Sequence, residues 1–142
     1  MTAARATPEP GPRPFLGLLA GVAAGIVASA AMAAFEASAP RLIEHDDGGD
    51  TPEPRDEPSG QMIRYVAGAV MGGIYGVLTE YRPEASAGFG SAYGVATAVL
   101  DQGVVPELDP DAAAEPHPYG LASHLVYGVV LEGVRWLIAG RR

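Results

Sequence analysis

Among the ionisable side chains within or at the ends of apolar stretches of this chain are Glu36, Glu80, Asp101, His124, Glu132 and Arg135. A carboxylate in apolar surroundings holds its proton more tightly than in water and can exchange it nearer neutrality. An imidazole is the side chain whose ordinary titration already lies there. Proton handling is therefore the chemistry these residue types could perform. Gly120, His124, Gly128 and Glu132 recur at i+4, with Tyr127 and Arg135 alongside, so one polar stripe runs down an otherwise apolar helix. Glu132 and Arg135 are spaced to pair on that helix. An acid or base near a bilayer centre costs about 2.5–3.5 kcal/mol on insertion scales, so the stripe should face protein. Glu36 and Asp101, each followed by a proline, fall at one end of their segments, and Glu80 and Glu132 toward the other. In line they would form a carboxylate path between the two faces.

The grammar of covalent or hydrolytic catalysis is missing around these residues. There is no Gly-x-Ser-x-Gly, no His-Glu-x2-His, no phosphate loop and no dinucleotide fingerprint, so the chain reads as a non-enzyme without a cofactor. His45, His117 and His124 stand in three different settings and make no metal site. The run Glu44-His45-Asp46-Asp47-Gly48-Gly49-Asp50 does not fit a twelve-residue calcium loop, because Pro52, Pro54 and Pro58 interrupt the register. No basic patch with interleaved aromatics supports binding to nucleic acid.

The elements that must position these groups are four apolar segments, Pro14–Ala39, Met62–Thr79, Ala85–Val105 and Tyr119–Ala139. Their lengths lie near the roughly 20 residues that cross a bilayer core of about 30 Å, which predicts an all-α integral membrane four-helix bundle. Phe15–Phe35 carries no charge and no polar face, unlike a helix of a soluble bundle. Ala37-Ser38-Ala39 has the small residues of a signal-peptide cleavage site, but the apolar run before it is longer than such peptides use. Gly17, Gly21, Gly25 and Ser29 make small-x3-small steps on the first helix, as Gly68, Gly72 and Gly76 do on the second. Such faces let helix backbones approach closely in lipid.

The segments also look duplicated. Gly25-x3-Ser29-x3-Ala33-x2-Glu36 matches Gly90-x3-Gly94-x3-Ala98-x2-Asp101, and Gly68-x3-Gly72-x2-Tyr75-Gly76-x3-Glu80 matches Gly120-x3-His124-x2-Tyr127-Gly128-x3-Glu132. Two similar helix hairpins are the expectation. His124 replaces Gly72 of the other half and breaks the symmetry there.

Charge lies outside the segments: the formal net charge is −8 over 142 residues, all nine basic residues are arginine, and there is no cysteine. Disulfides and thiolate metal sites are thereby excluded. Two acidic, proline-bearing loops, around 40–61 and 101–118, are too poor in apolar residues to fold alone. Residues 1–13 read as a disordered arm and 14–142 as one membrane domain. Arg5, Arg13, Arg82, Arg135, Arg141 and Arg142 outweigh Arg41, Arg55 and Arg64, which predicts a plasma-membrane protein with both termini in the cytoplasm.

The run Gly17-Leu18-Leu19-Ala20-Gly21-Val22 leading to Glu36 and Pro40-Arg41, then Tyr75-Gly76-Val77-Leu78-Thr79-Glu80 before Pro83, and His124-Leu125-Val126 with Glu132 and Arg135, resembles the YagU-like family of small multi-pass inner-membrane proteins. The resemblance runs from Pro14 onward and implies an integral membrane protein, with neither substrate nor catalytic residues. The function expected is an accessory or envelope protein whose partners are the lipid bilayer and either further copies or a larger membrane complex. The alternative is a proton- or ion-linked transporter using the intramembrane acids and His124.

Overall fold

The computed structural model describes residues 11–43, 58–108 and 119–140. Residues 1–10 of the expected disordered arm and the acidic centres of the two loops lie outside the described residues, whereas Arg13, expected in that arm, is held by hydrogen bonds to Glu80 and Ala139. Among the described residues the chain is all-helical, with α1 over Pro14–Ile43, α2 over Pro58–Tyr81, α3 over Ser91–Leu108 and α4 over Gly120–Ala139, and a short 3-10 turn at Pro83–Ser86. Pro14 and Pro58 open α1 and α2 at a position where the missing N–H costs nothing. Gly140, with φ 81°, closes α4 by donating its N–H to Trp136 O at 2.9 Å.

Three helical stretches among the described residues are long and apolar enough to cross a membrane: Pro14–Ala39, Gly60–Tyr81 and Gly120–Ala139. The third apolar segment departs from the expected crossing at 85–105. Its helix begins only at Ser91, because Gly88, Phe89 and Gly90 all have positive φ, at 63°, 54° and 82°. Two glycines accept that region freely, and Phe89 is the uncommon non-glycine in it. Asp101, Gln102 and Glu107 then dilute the apolar character of the second half.

α1 packs on α2 along one side and on α4 along another, and α3 packs on α4. The first contact is glycine on glycine. A Cβ at Gly21 would overlap Gly72 O, one at Gly25 would overlap Gly68 O, and one at Gly72 would stand 2.7 Å from Gly25 Cα. The other side of α1 is an alanine stripe, Ala20, Ala24 and Ala28, all fully buried. Ala24 and Ala28 join Tyr75, Tyr127 and Leu131 in the core. Large apolar side chains point the other way: Phe15, Leu19, Ile26, Val66, Val70, Ile74, Leu121 and Leu137 are all exposed. The contacts of α1 are made by small residues, with Tyr75, Tyr127 and Leu131 filling the core beside them, while many large aliphatic side chains lie on the surface, unlike a water-soluble bundle.

Candidate functional site

The ionisable residues collect at the two ends of the bundle. At the near end, where α1 begins and α2 and α4 finish, Glu132 and Arg135 pair on α4 as their spacing predicts. Arg135 donates from Nε to Glu132 Oε2 at 2.7 Å and from Nη2 to Oε1 at 2.8 Å, a two-pronged match of guanidinium to carboxylate. Tyr75 of α2 donates its hydroxyl to the same Oε2 at 2.9 Å. All three side chains are buried. Glu80, also buried, accepts the main-chain N–H of Arg13 at 2.6 Å, while the Arg13 guanidinium donates to Ala139 O at 2.9 Å. Arg13 thus ties the start of α1 to the ends of α2 and α4. Two glutamates and two arginines therefore lie at this end, with Glu132 and Arg135 paired. Among the described residues, Arg135 Nη1 has no hydrogen-bond partner.

The far end is open. Arg64 of α2 pairs with Glu36 of α1 through side chains that are 41% and 26% exposed. His124 donates Nδ1–H to Gly120 O at 2.8 Å, one turn back on α4, and presents Nε2 to Asp101 of α3 at 4.0 Å. The Asp101 side chain is 60% exposed.

The expected path of carboxylates from face to face is not what these positions make. Gly17 lies against Glu80, and Glu36 stands 19 residues further along α1. At 1.5 Å per residue that is about 28 Å, close to the whole thickness of a bilayer core. The core between is alanine, glycine, leucine and tyrosine. Four of its hydroxyls are engaged: Thr79 on Gly76 O at 3.0 Å, Thr97 on Gly94 O at 2.8 Å, Ser123 on Gly120 O at 3.0 Å, and Tyr127 across to Gly68 O at 2.9 Å.

Gly17, Gly21, Gly25, Gly68, Gly72, Gly76, Gly90, Gly94 and Gly128 stand close against a neighbouring helix, in a register the sequence pattern did not give. A Cβ at Gly17 would strike Gly76 O and stand 2.6 Å from Glu80 Cγ; one at Gly90 would strike Gly128 O and stand 2.9 Å from Glu132 Cβ. Likewise Gly21 faces Gly72, and Gly94 faces His124. Gly17 therefore holds the place on α1 that Gly90 holds before α3, whereas the motif match had paired Gly25 with Gly90. Glu36 and Asp101 are accordingly not equivalent. Gly72 and His124 face Gly21 and Gly94, and Gly76 and Gly128 face Gly17 and Gly90. Gly120, also expected at a helix contact, has a carbonyl that accepts from Ser123 and His124 of its own helix.

Arg13, Arg64, Tyr75 and Tyr93 were not among the expected site residues. Tyr93 donates to Met71 O at 2.8 Å, and its ring centroid lies 4.6 Å from that of Tyr75. The signal available was the tyrosine type itself, since a buried phenol in an apolar helix must find an acceptor. Comparison of the chain with protein-family models, with curated proteins and with solved structures finds no match.

Proposed function

We propose that the chain is a multi-pass integral membrane protein of the plasma membrane, built from two similar hairpins, α1–α2 and α3–α4, and acting as a non-enzymatic accessory or envelope protein. The observation that carries this reading is the packing, with alanine and glycine at the helix contacts beside Tyr75, Tyr127 and Leu131, and many phenylalanine, leucine, isoleucine and valine side chains outside. In water such a surface would aggregate; in lipid it is the ordinary exterior, and small residues inside give the close backbone contact that replaces the hydrophobic effect. The corresponding contacts of Gly17 with Gly76 and of Gly90 with Gly128 support the two-hairpin arrangement. The YagU-like resemblance points the same way, and the arginine distribution favours cytoplasmic termini.

An accessory role is favoured over transport because the acids lie toward the two ends, about one core thickness apart, with a core of alanine, glycine, leucine and tyrosine between. The test is proton and cation flux into proteoliposomes holding the purified protein. Flux equal to that of empty vesicles is expected. Flux that disappears in a Glu132→Gln variant that still folds would overturn the accessory reading in favour of the transporter.

A further inference from the structure

The outer side of the α1–α2 pair carries an apolar groove of about 820 Å³, walled by Leu18 and Val22 of α1 and by Ile74, Val77 and Tyr81 of α2, with Gly73 also lining it. Gly73 differs from its neighbouring glycines. A Cβ at Gly72 or Gly76 would run into the backbone of α1, but one at Gly73 would meet only the side-chain ends Leu18 Cδ1 and Val22 Cγ2, each at 3.1 Å. Close approach of the helices therefore does not require this glycine. In the second hairpin, where His124 and Gly128 make the contacts of Gly72 and Gly76, the following residue is Leu125 instead. A leucine stands where the first hairpin leaves space.

The groove runs to the near end, where Tyr81 is 58% exposed and Arg82, also exposed, follows it. The backbone of Arg82 is fixed: its N–H donates to Leu78 O at 2.8 Å and its carbonyl accepts from Ala85 N–H at 2.9 Å. Gly73 to Tyr81 spans about 12 Å of helix, most of the roughly 15 Å that one leaflet contributes to the apolar core. Tyrosine and arginine at that depth suit the level of lipid carbonyls and phosphates. We propose that this groove binds one acyl chain of a phospholipid from the near-end leaflet, with the lipid phosphate held by Arg82. The proposal rests on the membrane reading above.

The test uses a phospholipid with a photoactivatable acyl chain in proteoliposomes of the full chain, with labelled residues mapped by mass spectrometry. Leu137, exposed on α4 at the same end, reports ordinary lipid contact. Labelling of Val22 and Val77 several-fold above Leu137 is expected. Gly73→Leu should lower the groove residues to the Leu137 level, and Arg82→Gln should lower their labelling by the phospholipid but not by a diacylglycerol with the same chains. Val77→Trp fills the groove from its rim and replaces Gly73→Leu if that variant loses its helical circular dichroism. Equal labelling at Val22, Val77 and Leu137 would overturn the proposal, as would efficient disulfide cross-linking of two copies through Val77→Cys, which would give the groove to a second copy. Failure to label Leu137 as well would strike the membrane reading itself.

Discussion

At the near end Arg135 and Glu132 meet with side chains only 2% and 7% exposed, and Tyr75 completes the carboxylate; at the far end Arg64 and Glu36 meet with side chains 41% and 26% exposed. The chemical groups are the same, and the surroundings set what each pair contributes. A buried pair has surrendered its hydration, so its partners depend on each other. Removing one leaves a desolvated charge at a cost of about 3–5 kcal/mol, whereas an exposed pair contributes about 0.2–1 kcal/mol. Balanced burial at one end and solvent contact at the other make the near end the fixed point of the bundle.

The largest effect expected is that of Arg135→Leu, which should destabilise the protein in detergent by about 3–5 kcal/mol, measured by reversible unfolding. Combining it with Glu132→Leu should recover much of the loss, because the stranded carboxylate is gone. No recovery would mean that Arg135 acts through packing, and the contrast between the ends would fail. Tyr75→Phe should cost about 1.5–3 kcal/mol, the range for a hydrogen bond to a charged group, without changing helical content. At the far end, Glu36→Gln should cost about 0.2–1 kcal/mol and its effect should vanish in concentrated salt, while that of Arg135→Leu persists. Smallest of all is Asp101→Asn, whose partner His124 lies at 4.0 Å. A change within about 0.5 kcal/mol is expected, as for a surface substitution that breaks no buried contact. A larger loss would show that α3 depends on this pair for its docking.

Much of this contrast was legible in the sequence. The apolar runs gave α1, α2 and α4, and the three-residue spacing gave the Glu132–Arg135 pair, because both signals are local to one helix. The hydrogen bond that Glu80 accepts from Arg13 was not legible, since its donor is a main-chain N–H 67 residues earlier. The late start of α3 was concealed by composition: Ala85–Gly90 is apolar enough to continue a helix, and the 3-10 turn ending at Ser86, the extended Ala87 and the positive φ values at 88–90 break it. The register between α1 and α3 was lost for a different reason. Small residues recur every four positions at Gly17, Gly21, Gly25 and Ser29, so sliding the pattern by eight residues leaves it intact. A periodic motif specifies a face and leaves its height along the helix undetermined.

Tyr127 and Tyr93 donate to the main-chain oxygens of Gly68 and Met71, one turn apart on α2. What α4 and α3 touch there is a pair of peptide carbonyls, groups that every amino acid carries. Two consequences follow for how such a protein can diverge. Met71 is free to drift among residues that keep the helix, because Tyr93 finds the same oxygen whatever side chain stands there. The tyrosines have no such freedom, since phenylalanine in either place leaves a contact without its donor. Correlated substitution, the usual trace of two positions in contact, is therefore expected to be silent between Tyr93 and Met71 although their atoms are 2.8 Å apart.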